Sequence, residues 1–413
     1  MSIVKDPSLA AEGRQKIEWV RDFMPALTKI GENFAKGRIF AGLKIGMSIH
    51  MEAKTAYLAL MLRKAGAEVY ATGCNPLSTQ DDVAAGLASM GVNVYAIRGV
   101  SEAEYFSHLN EVLKHRPDLL IDDGGDLYKV YSELPPEIRA EWRPIGGCEE
   151  TTTGINRLKM LQREAPLYFP MVNVNDAKCK HFYDNVYGTG QSVWTAIMDI
   201  TNTLVAGKIV VVAGYGYCGS GVAMRAKGMG ARVIVTEVDP VKAIKASLDG
   251  FEVMTMDDAA YIGDYFVTVT GCKDVITWTH FNCMKDNAFL ANAGHFDVEI
   301  NVKQLKAMSS IVEERRESIT GYKIGNKTLN LLAEGRLVNL AGGKGHPAEI
   351  MDTSFSMQAM GLKYLLEHQG ELENIVYEIP EELNDRVARF KLRAMGAKID
   401  TLTGDQKNYL GLV

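Results

Sequence analysis

Residues 207–239 run through a strand, a glycine turn, a helix and a second strand without interruption. The segment Ile209–Ala213 is wholly apolar and rich in β-branched valine, as expected of a strand buried on both faces of a parallel sheet. Gly214, Gly216 and Gly219 follow in the spacing that makes a tight turn, lets backbone approach a pyrophosphate and packs the next helix close to the strand. The second strand is expected to end at Glu237, about 20 residues beyond the turn, where an acid accepts from a ribose diol. A carboxylate there repels a 2′-phosphate, so the unit is read as a site for NAD rather than NADP.

One such unit with its sheet needs roughly 150 residues, and the chain has 413, so a second domain is expected. A hydrophobic content of 47% with 23% charged residues is that of an ordinary globular protein. The net charge of −6 and the lack of any lysine or arginine run argue against nucleic acid or an anionic membrane as partner. The ligand is expected to be a small molecule. The six cysteines form no Cys-x-x-Cys pair and have no histidine at zinc-finger spacing, so they read as reduced thiols, mostly buried, and no metal site is expected. Lys5, Asp6, Glu12 and Arg14 stand where a secretory signal would be apolar, and no stretch has the length of a membrane span. A cytoplasmic protein is expected.

Ahead of the glycine unit the same alternation recurs. Leu43–Ile49, Ala67–Thr72, Val92–Ile97 and Leu119–Ile121 read as strands, and Glu52–Lys64 and Thr79–Met90 as helices, punctuated by Gly66, Gly91 and Pro117. The N-terminal half is therefore α/β as well. Ligands of such sheets collect beyond the carboxyl ends of the strands, which draws attention to His50, to Gly73-Cys-Asn-Pro76 and to Asp122-Asp123-Gly-Gly-Asp126.

Polar residues set among small ones recur in order along the chain: Asn75-Pro-Leu-Ser-Thr-Gln-Asp81, Glu149-Glu150-Thr-Thr-Thr-Gly154, Asp184-Asn185-x-Tyr-Gly188, Gly294-His-Phe-Asp-Val-Glu-Ile300, Glu334-Gly-Arg-Leu-Val-Asn-Leu340 and Gly345-His-Pro347. Singly, each reads as a cap or turn. Together with the glycine unit they make the whole chain resemble the S-adenosyl-L-homocysteine hydrolase family, including its S-inosyl-L-homocysteine hydrolase branch. The resemblance implies two Rossmann-like doubly wound α/β domains. One is a substrate domain of residues 1–186 and 348–380, the other an NAD domain of residues 187–347. Residues 381–413 would form a short helical tail for oligomerisation, segments 186–190 and 347–352 the hinges, and the assembly a homotetramer.

The implied reaction is reversible hydrolysis of a nucleoside thioether to homocysteine and the purine nucleoside, as part of methyl-cycle maintenance. NAD would oxidise the ribose 3′-hydroxyl, making the C4′ hydrogen acidic; the 5′-thiolate would leave, water would add, and the ketone would be reduced again. By resemblance, Lys180 takes the 3′-hydroxyl proton, its pKa lowered by burial, and Asp184 keeps it in place from the same helical face. Asp123 handles the C4′ proton, Glu150 holds the ribose hydroxyls, and His50 shuttles protons at the 5′ position with Asp123. Asn185 positions the nicotinamide, and His295 and His346 close over the substrate. Thr151, Thr152, Thr153, Asn185, Gly214, Gly216, Gly219, Glu237, Thr270, Asn339 and Tyr409 are implied cofactor contacts. Glu52, Lys54, Thr55, His346, Met351 and Phe355 are implied substrate contacts. A plain NAD-dependent dehydrogenase and a non-catalytic nucleoside-binding paralogue are the alternatives; neither explains Asp123, Lys180 and Asp184 together.

The chain departs from the family pattern in a few places. The usual His-x-Thr-x-Glu or His-x-Thr-x-Gln is here His50-Met-Glu52-Ala-Lys54. Adenine offers an acceptor at N1 and a donor at its amino group, and hypoxanthine reverses both. Glu52 accepting from N1–H and Lys54 donating to the 6-oxo group would suit an inosyl substrate. Pairing of Glu52 with Lys54 at a helix start would leave adenosyl acceptable, and both readings stand at this point. Thr189 replaces a cysteine of many relatives, Lys242 an asparagine near the NAD ribose, and Asp405 a lysine of the tail, for which Lys407 is a substitute.

Overall fold

The computed structural model describes residues 2–412 and contains two eight-stranded sheets, one from each part of the chain. The first runs in the spatial order Ile3–Val4, Asn93–Ala96, Glu68–Thr72, Lys44–Ser48, Leu119–Asp122, Gly146–Glu149, Met171–Asn173 and Val376–Glu378, with every pairing parallel. The second runs Glu252–Val253, Arg232–Thr236, Ile209–Ala213, Tyr265–Thr268, Phe289–Asn292 and Lys327–Leu332 in parallel, then adds Ile319–Ile324 and Ile311–Arg316 antiparallel. Both are doubly wound, as expected. The chain order reverses between Lys44–Ser48 and Leu119–Asp122 in one sheet and between Ile209–Ala213 and Tyr265–Thr268 in the other. A crevice opens at each reversal because the connections depart to opposite faces.

The expected N-terminal elements are present to within two residues at their ends. Three of the four strands begin or end a residue inside the apolar run, because ladder pairing stops before the run does, whereas Leu119–Asp122 extends one polar residue beyond it. The helix Ala53–Lys64 begins one residue later than expected because Glu52 is its N-cap, accepting from the backbone N–H of Lys54 at 3.0 Å and Thr55 at 3.3 Å. The strand Arg232–Thr236 stops one residue short of Glu237.

The helix Ala348–Glu367 returns from the second sheet and buries Phe355, Met357, Met360, Leu362 and Leu365 in the core of the first. On it, Asp352 is fully buried and accepts from the N–H groups of Ala26 and Leu27, and from Lys391 of the helix Glu381–Ala394 at 2.9 Å. Sequence pattern places that last helix over Arg386–Met395; it starts earlier, directly after Pro380, and lays Val387 against the same core. The two halves also touch. Leu77 packs on the core of the second sheet, and Arg98 donates to the carbonyl of Ala341 at 2.6 Å. No helix among the described residues is long and apolar enough to cross a membrane.

Candidate active site

The carboxyl ends of both sheets face one cavity of about 130 Å³, lined from both halves of the chain. His50 follows the strand Lys44–Ser48 and Asp123 follows Leu119–Asp122, so both stand in the crevice of the first sheet. His50 Nε2 lies 3.5 Å from one oxygen of Asp123, and His295 Nδ1, carried by the second sheet, lies 3.7 Å from the other. Cys74 Sγ approaches Asp123 at 3.3 Å. His50, Cys74 and Asp123 thus bring three metal-capable atoms within 4.8 Å of one another, a juxtaposition that sequence spacing concealed. Burial pulls the His50 imidazole down to about 4, against the raising influence of Asp123, so it is neutral near pH 7. Ser78 Oγ sits 2.7 Å from its Nδ1, leaving Nε2 toward Asp123. Gly124 has a positive φ of 100°, and a Cβ there would meet His295 Nε2 at 2.4 Å.

Across the cavity stands Lys180, buried, at the end of the short helix Lys178–Lys180. The next segment, His181–Gly188, is a π-helix rather than the α-helix that the four-residue spacing suggested. Its wider turn brings both the fourth and the fifth residue back to Lys180: Asp184 Oδ1 at 3.4 Å and Asn185 Oδ1 at 2.9 Å. Asn175 Oδ1 at 3.3 Å and Glu150 Oε1 at 3.8 Å complete the surround. The expectation that burial lowers the Lys180 pKa is overturned. Burial does pull it down, but Asp184 and then Glu150 outweigh that and raise it above the ordinary lysine value. Burial likewise opposes ionisation of Asp184, yet Lys180, His346 and Ser354 hold its carboxyl well below the usual range. Glu150 goes the other way. Its burial dominates and pushes it up to about 8 despite Lys180.

Glu52, Thr55, Met351 and Phe355 line the same cavity, as does His346, whose Nδ1 is 3.3 Å from Asp184. Lys54 does not line it. Its ammonium lies 2.5 Å from Glu52 and donates to the carbonyl of Lys344 at 3.0 Å, so of the two readings left open by the sequence the Glu52–Lys54 pair at the helix start is the one found, and Lys54 is not placed for direct purine contact.

The sequence model of S-adenosyl-L-homocysteine hydrolase matches residues 2–137, and that of the family's NAD-binding domain matches residues 185–345. The chain is 54% identical to S-inosyl-L-homocysteine hydrolase of Methanococcus maripaludis over 99% of its length and 98% of the relative's. It belongs to the S-adenosyl-L-homocysteine hydrolase family. Adenosylhomocysteinase of Thermococcus kodakarensis is 52% identical over 98% of this chain and 96% of the relative. Among solved structures, a dipicolinate synthase chain from Bacillus halodurans superposes with a TM-score of 0.50 at 16% identity, covering 79% of this chain and 99% of that one, which is a likeness of fold.

The residues present fit the NAD that gives the family's second domain its name. A Cβ on Gly219 would lie 2.0 Å from the carbonyl oxygen of Gly214, whereas one on Gly216 would meet nothing within 4 Å, leaving open space before the helix Tyr217–Gly228 where a phosphate approaches the helix N-terminus. Asn339, on the cavity wall, donates to Ser192 at 3.0 Å, and its Oδ1 is buried with no partner in the protein. Thr151, Thr152 and Asn185 line the cavity from the first half of the chain. Thr153 is not on the cavity wall. Glu237 stands at the strand end, accepting from the N–H groups of Tyr215, Val238 and Asp239. Two implied contacts are elsewhere. The Thr270 hydroxyl donates to buried Glu299 at 2.8 Å, off the cavity, and Tyr409 is 92% exposed.

Sequence reading assigns no role to several residues that shape the site. Ser354 donates to Asp184 and Gln358 to Glu150 from the helix Ala348–Glu367. Glu149 Oε1 accepts from Gly124 N and Thr151 N, both at 2.9 Å, joining the Asp123 loop to the threonine loop. The signal available was residue type alone: serine, glutamine and glutamate inside otherwise apolar elements need partners.

Proposed function

We propose that this chain is an NAD-dependent hydrolase of S-inosyl-L-homocysteine, releasing homocysteine and inosine. The observation that carries the reaction type is the placement of Lys180, Glu150 and Asp184 on one side of a single cavity and His50, Asp123 and His295 on the other. When bound, NAD supplies a reversible two-electron acceptor, so that C3′ alternates between alcohol and ketone. Glu150 receives the ribose hydroxyls through Oε1, which has no hydrogen-bond donor in the protein. Lys180 takes the 3′-hydroxyl proton after giving up its own, and Glu150, 3.8 Å away, receives that proton in its ionised form, which predominates above its raised pKa of about 8. Asp123 removes the C4′ proton. His50, in contact with Asp123, passes the proton taken from C4′ on to the leaving sulfur, and in the hydration step it takes a proton from the entering water and returns one to Asp123. His295 screens this side from solvent, which protects an unsaturated intermediate. Closure of the substrate domain on the NAD domain about 186–190 and 347–352 is part of the same proposal.

The choice of purine rests on Glu52. A carboxylate paired with an ammonium offers lone pairs only, so it matches the N1–H of hypoxanthine and repels the N1 lone pair of adenine. Thr55 Oγ1 is buried on the cavity wall without a partner and supplies the donor for the 6-oxo group. Lys54 acts through Glu52. Initial rates of thiol release from the inosyl and adenosyl thioethers in parallel test this. The wild type is expected to favour the inosyl substrate, and Glu52→Gln to move the ratio toward adenosyl by at least about tenfold, since a buried polar group left unpaired dominates such discrimination. An adenosyl preference in the wild type would leave Glu52 as a helix cap and no more, and make the chain an adenosylhomocysteinase.

A homotetramer in the cytoplasm is the state we propose. All six cysteines are free thiols. Val241, Ile244 and Leu248 form a solvent-exposed apolar stripe along the helix Pro240–Leu248, with exposed Val238 just before it, and Tyr409, Leu410 and Leu412 are exposed in the tail. Light scattering of the same preparation at the mass of one chain would contradict the tetramer.

A further inference from the structure

The helix Ala348–Glu367 turns one face toward the two carboxylates that flank Lys180. Ser354 Oγ donates to Asp184 Oδ2 at 2.9 Å, and Gln358 Nε2 donates to Glu150 Oε2 at 2.6 Å. Both side chains are fully buried, and their four-residue spacing puts them on one helical face. In each carboxylate the other oxygen is the one directed at Lys180, Asp184 Oδ1 at 3.4 Å and Glu150 Oε1 at 3.8 Å. Gln358 Oε1 is itself buried with no partner, a cost that an apolar residue of the same length would avoid. Its Nε2 contact is what offsets that cost. A carboxylate free to rotate beside a buried ammonium would turn both oxygens to it, and Glu150 would then have none left for a ribose hydroxyl.

We propose that Ser354 and Gln358 are positioning residues of the reaction, each holding the outer oxygen of one carboxylate so that Lys180 and Glu150 Oε1 face the ribose together. The proposal rests on the reading of Lys180 as the group that takes the 3′-hydroxyl proton. The charged and titratable groups around that lysine are Asp184 and Glu150 in contact, His346 against Asp184, and Cys218 and Asp123 further off.

The test uses the NAD-loaded enzyme with Ser354→Ala, Gln358→Met, the double variant and Gln358→Glu. Each single change is expected to lower kcat by about 10- to 100-fold, as for a misplaced catalytic group. KM should stay within about threefold and bound NAD should stay stoichiometric, because only an orientation realised in the reaction is lost. The double variant should lose less than the product of the singles, since both act through one lysine. Gln358→Glu restores a donor only when protonated, so its rate relative to wild type should climb as pH falls. Unchanged kcat in both singles, or a parallel fall of KM-normalised activity, NAD content and Tm, would overturn the proposal, as would a pH-independent ratio for Gln358→Glu. Should Lys180→Met retain kcat, the reading beneath fails; should Lys180→Met be inactive while the Ser354 and Gln358 variants are normal, this proposal alone fails.

Discussion

Lys180→Met will fold, bind NAD and fail to turn over, with kcat lowered by about a thousandfold, in the middle of the range for loss of a proton-transferring side chain. Methionine keeps the length of the stem and removes the ammonium, so the expected loss of about 4 kcal/mol of transition-state stabilisation is assigned to the amine alone. Adding the nucleoside to this variant should give no rise in nicotinamide absorbance, because the 3′-hydroxyl keeps its proton. The pH profile follows from the same residues. Asp184 and Glu150 raise the Lys180 pKa above the ordinary value, so the form able to accept a proton grows as pH rises. Wild-type kcat/KM should therefore climb above neutrality, and Lys180→Met should lack that limb. A variant that retains wild-type burst and pH dependence would remove Lys180 from the chemistry.

Gly219→Ala is expected to cost both stability and cofactor. The added Cβ would stand 2.0 Å from the Gly214 carbonyl, inside any real contact distance, so the helix Tyr217–Gly228 must move off the strand Ile209–Ala213. A loss of about 3 kcal/mol is the scale for such an overpacked contact, and Tm should fall by roughly 5–10 °C. Gly216→Ala is the contrast. Its Cβ meets nothing within 4 Å, so Tm of the NAD-free protein should hold while bound NAD drops, because the methyl occupies the space into which a pyrophosphate fits. Equal Tm losses in the two variants would mean that the glycines serve packing only.

The parts of this molecule that repeat along the chain are the easiest to read before folding. Ile209–Ala213 is legible to the residue because five apolar residues followed by glycine leave a buried strand few other ends. The carboxyl ends of the strands lead to His50 and Asp123 for the same reason. The placement of partners across the chain is harder. Burial of Lys180 is foreseeable and its consequence is not, because the sign of its pKa shift depends on Asp184, brought in by a π-helical turn that residue spacing does not announce, and on Glu150, brought in from the end of the strand Gly146–Glu149. Lys54 shows the same limit: its spacing left purine contact and pairing with Glu52 both open, and the carbonyl 290 positions away that also holds its ammonium is announced by nothing nearby. Ser354 and Gln358 lie far along the chain from the acids they hold, and only their polarity within a buried helix marks them.

The most direct test of an oxidise–eliminate–hydrate sequence is the fate of the C4′ hydrogen. NAD-loaded enzyme should be run with S-inosyl-L-homocysteine in deuterium oxide and the inosine product examined by NMR. Asp123 acting on C4′ predicts deuterium at that carbon in the product. Homocysteine released with C4′ still carrying its original hydrogen would contradict the mechanism, whatever the rate of thiol release.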